Sequence, residues 1–135
     1  MMARADKTRP AGRTQAATRL ADAHAFLQQA EISAELIDGP RRDATVVSSA
    51  VLAGIAAADA ACGARLGEIA VGSHDSAPRL LKQVVGSERS VTALSRLLSL
   101  KSTSQYAGDV VGFRHATEAI ERARRLVEFA ESCLQ

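Results

Sequence analysis

The residues best placed by type and spacing to do chemistry lie in the stretch Lys101-Ser-Thr-Ser-Gln-Tyr106. A cation stands at its start and a phenol follows after a gap of four residues, with Gln105 just before the phenol. A lysine ammonium can neutralise a phosphate as a point charge, without the fork of a guanidinium. A tyrosine hydroxyl, with an ordinary pKa near 10, is a weak general base at pH 7. Such a pair is better suited to holding an anion than to cutting one. Tyr106 has two readings: a ring that packs its body and turns its hydroxyl to a backbone carbonyl, or a ring that stacks on a nucleobase.

Two further polar residues could share a cleft with this pair. Asp59 falls one turn beyond Ile55 in an alanine-rich helical run, and an acid at the edge of an apolar stripe needs a partner if buried. Its partner is either Lys101 or Tyr106 in a functional cleft, or a structural hydrogen bond that fixes helix packing. His74 precedes Asp75 and Ser76 at a helix start, where it either faces the same cleft or satisfies nearby backbone groups. His24 and His115 read as surface or packing residues. The three histidines are dispersed and lack Cys, Asp or Glu at ligand spacing, so no metal is expected, and no cofactor either. Neither a nucleophile-elbow serine nor a lysine-bearing glycine-rich phosphate loop is legible.

The elements that must position these residues are helices. Apolar residues recur at Ala16, Leu20, Ala23, Leu27, Ala30, Ala34 and Ile37, the three-and-four alternation of one helical stripe, with Gly39-Pro40 as the stop. Asp43 is placed to cap a second helix with the stripe Val47, Val51, Ile55, Ala58, Cys62, Leu66. Its alanine content fits a central helix or one face of a dimer. Asp75 or Ser76 near a cap, with Pro78 in the first turn, opens a short third helix carrying Leu80, Leu81, Val84 and Val85 to Gly86. A fourth, with Val91, Leu94, Leu97 and Leu98 on one side, reaches roughly to Lys101, and a polar connection follows. The last repeats the pattern of the first from Phe113 to Leu134, with Glu118–Arg122 and Glu121–Arg125 at i,i+4 on its outer face. Short connections without alternating β patterns predict an all-α antiparallel bundle of about five helices.

Composition narrows the classes. A chain of 135 residues with 47% hydrophobic and 3% aromatic residues builds one core from Leu, Ile, Val and close-packed Ala. Residues 1–15 read as a basic, disordered leader and 16–135 as the helical domain. The first twenty residues carry five Arg/Lys against one Asp, so strong phosphate attraction is confined to that end. No apolar run of membrane-spanning length and no secretory leader is apparent, so a cytoplasmic protein away from membranes is expected. Cys62 and Cys133 form no C-x-x-C pair and read as buried thiols.

The order of these features resembles the HEPN domain, above all a compact actinobacterial subgroup. The pieces are DAHAFLQQAEISAEL, AVLAGIAAADAACGARLG, SHDSAPRLLKQV, LLSLKSTSQYAG and ATEAIERARRLVEFAE, covering about residues 20–132. The resemblance implies a homodimer and a role beside RNA. Many such domains are metal-independent ribonucleases, or partners of a minimal nucleotidyltransferase in toxin–antitoxin pairs. Their nuclease motif is an Arg followed after four to six residues by a His near the start of the final helix, which this chain does not provide there; Lys101 and Tyr106 stand nearest its place. The expectation is therefore a non-catalytic, HEPN-like interaction module of a toxin–antitoxin or nucleic-acid-associated stress or defence system. The alternatives are a metal-independent ribonuclease with an atypical Lys/Tyr site and a nucleotide-binding bundle without turnover. The cleft for RNA, nucleotide or partner protein would comprise Lys101, Tyr106, His74, Gln105 and Asp59.

Overall fold

The computed structural model describes residues 7–72, 75–106 and 111–135, with the backbone alone at 102–106. Five helices form an all-α bundle: α1 (Arg13–Leu36), α2 (Arg42–Leu66), α3 (Ser76–Leu81), α4 (Glu88–Tyr106) and α5 (Phe113–Leu134). Two three-residue strands, β1 (Thr8–Pro10) and β2 (Glu68–Ala70), add a small ribbon at one end.

Local chemistry sets the helix ends. The chain enters α1 and α5 alike, through an extended glycine whose N–H donates to the side chain three residues on: Gly12 to Gln15 Oε1 at 2.9 Å, Gly112 to His115 Nδ1 at 3.2 Å. Each satisfies one of the donors a helix start leaves orphaned. His115, expected at the surface or in packing, is therefore the cap of α5. Asp43 is not a cap; it lies in the first turn of α2, paired with Arg42 at 3.2 Å. At the far end of α2, Gly67 adopts the left-handed conformation that side chains resist (φ 72°), and its N–H closes on the Gly63 carbonyl at 3.2 Å.

Long-range bonds fix the helix directions. Arg13 Nη2 donates to the Leu134 carbonyl (3.3 Å), His24 meets Glu131 (3.0 Å) and Arg124 meets Glu31 (2.8 Å), so α1 and α5 run antiparallel. Arg65 donates to the Ser132 carbonyl (3.2 Å) while Arg42 lies over the Phe113 ring, so α2 and α5 run parallel. These two pack directly against each other, with α1 and α4 on either side. Alanine makes the close approach possible: Ala50, Ala53, Ala56, Ala57, Ala60 and Ala61 of α2 are fully buried. Leu81, Leu94, Leu97 and Leu126 fill the remaining space, each contributing about 1.5–3 kcal/mol of hydrophobic stabilisation.

α2 is thus the central helix, its alanines covered by the same chain rather than left as a dimer face. It is also long and apolar enough to cross a membrane, contrary to the reading of the sequence, but 83% of its most apolar window is buried in the bundle.

Three other expectations need correction. Residues 8–15 are not a disordered leader. Thr8, Arg9 and Pro10 pair with Ala70, Ile69 and Glu68, Ala11 N–H donates to the Gly67 carbonyl (3.0 Å) and Val71 N–H to the Lys7 carbonyl (3.0 Å). Ala11 is buried where Gly63 of α2 leaves room for it. The third helix ends at Leu81, and a tight turn carries Val84 inward while Val85 is 95% exposed. Finally, α4 does not stop near Lys101 but continues to Tyr106.

Candidate functional site

α2 presents a narrow outer stripe between α1 and α4, and Asp59 lies on it with 14% of its side chain exposed. The partner it requires comes from α1. Arg19 places Nε and Nη2 at 3.1 Å from Asp59 Oδ2, and turns Nη1 to Asp22 Oδ2 at 2.9 Å. The guanidinium thereby bridges two carboxylates, one on its own helix and one on α2. Asp59 Oδ1 receives no hydrogen bond from the described residues.

Burial raises the Asp59 pKa above the ordinary carboxylate value and outweighs the opposing pull of Arg19 and, more weakly, of Arg9 on β1. Removing an acid from water disfavours its charged form, and one partly exposed guanidinium does not fully compensate.

Beside Asp59 opens a cleft of about 230 Å³, lined by Ile55, Ala70, Val71, Ala77 and Leu98. Its walls come from α2, β2 and the segment after it, α3 and α4. Asp59 is the only charged side chain among its described lining residues.

Of the expected site residues that are described, Asp59 is the one at this cleft. Lys101 is half-buried on α4 and does not line this cleft. Because α4 is helical through residue 106, positions 101 and 106 are turned about 140° from each other around its axis. The side chains of Gln105 and Tyr106, and all of His74, lie outside the described residues. Asp59 makes an interhelical hydrogen bond to Arg19, a partner the expected alternatives did not name. Arg19 went unnoticed in the sequence because it was counted with the basic start of the chain. The signal was its spacing three residues before Asp22, on the edge of the α1 stripe.

The remaining chemistry is subdued. No group of three potential metal ligands occurs among the described residues. Cys62 and Cys133 are buried and free. Burial, with smaller contributions from Asp59, Cys133 and Glu68, pushes the Cys62 thiol up to about 12, which leaves it without nucleophilic character at neutral pH. A second cleft, of about 390 Å³, lies between the end of α2, the turn after α3 and the end of α5, near Arg65, Val84, Phe129 and Cys133.

No family model matches the chain, and no curated protein matches it.

Proposed function

We propose that this chain is a non-catalytic interaction module, HEPN-like in the order of its helices, that acts as a dimer and binds a partner protein in a toxin–antitoxin or nucleic-acid-associated stress or defence system. The observation that carries this reading is the arrangement around α4. Positions 101 and 106 sit on different sides of one continuous helix, and the acid of α2 is tied to Arg19. A general acid and base must both come within hydrogen-bonding reach of the reacting atoms, and two positions turned about 140° from each other on one helix are poorly arranged for that.

Support for a binding role comes from apolar surface at one end of the bundle. Ile32 and Leu36 near the end of α1, Leu52 in the first half of α2 and Phe113 at the start of α5 all expose their side chains, Leu36 to 74%. Among the described residues Val85 is the exposed large apolar side chain that lies elsewhere, and a grouping of the other four is what a protein partner would cover.

The test combines activity and assembly. Purified protein incubated with diverse RNA in chelator should leave it intact, alongside a Lys101→Ala control. It should form a stable complex with the product of an adjacent nucleotidyltransferase or toxin-sized gene. Metal-independent cleavage that Lys101→Ala abolishes would overturn the reading in favour of a ribonuclease. Light scattering at micromolar concentration should give a dimer; a monomer refutes that part.

A further inference from the structure

The cleft beside Asp59 combines apolar walls with one carboxylate among its described lining residues. Three features define what would fit. Ile55, Leu98 and the small side chains Ala70 and Ala77 offer a surface for a compact apolar body. The volume, about 230 Å³, lies below the roughly 300–1,000 Å³ typical of sites for larger ligands, so one ring or one alkyl stem is the right scale. Arg19 uses only Oδ2, and Oδ1 takes no donor from the described residues.

We infer that this cleft binds a small organic cation, an amine or amidine on a compact apolar body, whose N–H groups donate to Asp59 Oδ1 while its stem packs on Ile55, Ala77 and Leu98. The same chemistry is carried by a free small molecule and by a lysine or arginine side chain, whose stem is apolar and whose head is charged. An anion is disfavoured, because Asp59, the charged group among the described lining residues, would repel it. Arg19 does not close the site to a cation. Its own charge is shared between Asp59 and Asp22. The inference is independent of the interaction-module reading, since it concerns the α2–α4 side of the bundle rather than its apolar end.

The test uses the full chain, uniformly labelled with nitrogen-15, titrated separately with benzamidine, with a capped Gly-Lys-Gly peptide and with benzoate. Saturable shifts of the Ile55, Asp59, Ala77 and Leu98 amides are expected with benzamidine, with the peptide, or with both, and none with benzoate. The arm that saturates identifies the source as a small molecule or a protein side chain. Asp59→Asn, which keeps the shape, should weaken binding about tenfold, as expected for losing a charge-assisted bond. Ala77→Leu, which fills the cleft without touching the ion pair, should abolish it even if the Asn variant is perturbed. Absence of cleft shifts with both cations, equal binding by Asp59→Asn, or saturation by benzoate at the same amides overturns the inference.

Discussion

Asp59 illustrates how one residue's surroundings set both its bonds and its response to pH. Arg19→Ala would remove its donors and leave the carboxylate largely buried, at a cost of about 1–3 kcal/mol in urea unfolding at pH 7. The pH dependence has the opposite sign from that of an ordinary salt-bridged acid. Because burial raises the folded-state pKa, the folded protein holds the Asp59 proton more tightly than the unfolded chain. This group's penalty is therefore fully present at neutral pH and is relieved as pH falls through the folded value towards 3.8. Unfolding free energies at pH 7 and in steps down to pH 4 should show the wild type gaining on Asp59→Asn upon acidification; a loss would mean that Arg19 dominates. Cys62 gives a second residue-scale expectation. With its thiol near 12, only about one part in ten thousand is thiolate at pH 8, so a thiol reagent should modify it orders of magnitude faster in denaturant than in the folded protein. What the sequence conveyed of this site was that an acid on that stripe needs a partner. Which partner was not legible, because Arg19 and Asp59 are forty residues apart and their meeting depends on how α1 crosses α2.

At the scale of elements, the helices were legible where periodicity ran long and glycine ended it, as in α1, α2 and α5. The misreadings share a cause in short or weak patterns. Three-residue strands carry too little alternation to register, so the sequence of β1 reads as leader. Past Leu100, α4 becomes Lys-Ser-Thr-Ser-Gln-Tyr, which has no apolar stripe, yet its backbone stays helical. Propensity yielded there to the context of the fold. The packing of α4 on α2 invites its own test. A Cβ on Gly54 would lie 2.6 Å from Leu97 Cδ1 and 3.2 Å from Leu126 Cδ1, and both leucines are fully buried. Gly54→Ala gains up to ~1 kcal/mol of helix propensity but overpacks a tight contact at a cost of about 1–3 kcal/mol, so net destabilisation is expected. In Leu97→Ala, where the space is opened, the same substitution should become neutral or stabilising. A double-mutant cycle by denaturant unfolding reads this coupling directly; additive effects would show that Gly54 is not where the two helices are held closest.

For the whole molecule, the first residues of the domain act as a strap across the end of the bundle where α2 finishes. The two chain directions of the ribbon meet there: Ala11 bonds to Gly67 and Val71 to Lys7, so the strand closes the turn from α2 into β2 at both its ends. Arg9 adds a weak attraction to Asp59 from the same strand. Removing residues 1–10 would break the ladder and the Val71–Lys7 bond while leaving all five helices with their own sequences. Each backbone hydrogen bond is worth about 0.5–1.5 kcal/mol net, so a loss of about 1–3 kcal/mol and a fall of several degrees in Tm are expected. Helical content by circular dichroism should be unchanged at low temperature. Hydrogen exchange should locate the damage: the amides of Ile69 and Val71 and the last turn of α2 should lose protection, and those of Leu94, Leu97 and Leu126 at the centre should keep theirs. If the truncated chain matches the full one in both Tm and exchange, the ribbon contributes nothing to stability. Residues 8–10 would then behave energetically as the leader that their composition suggested.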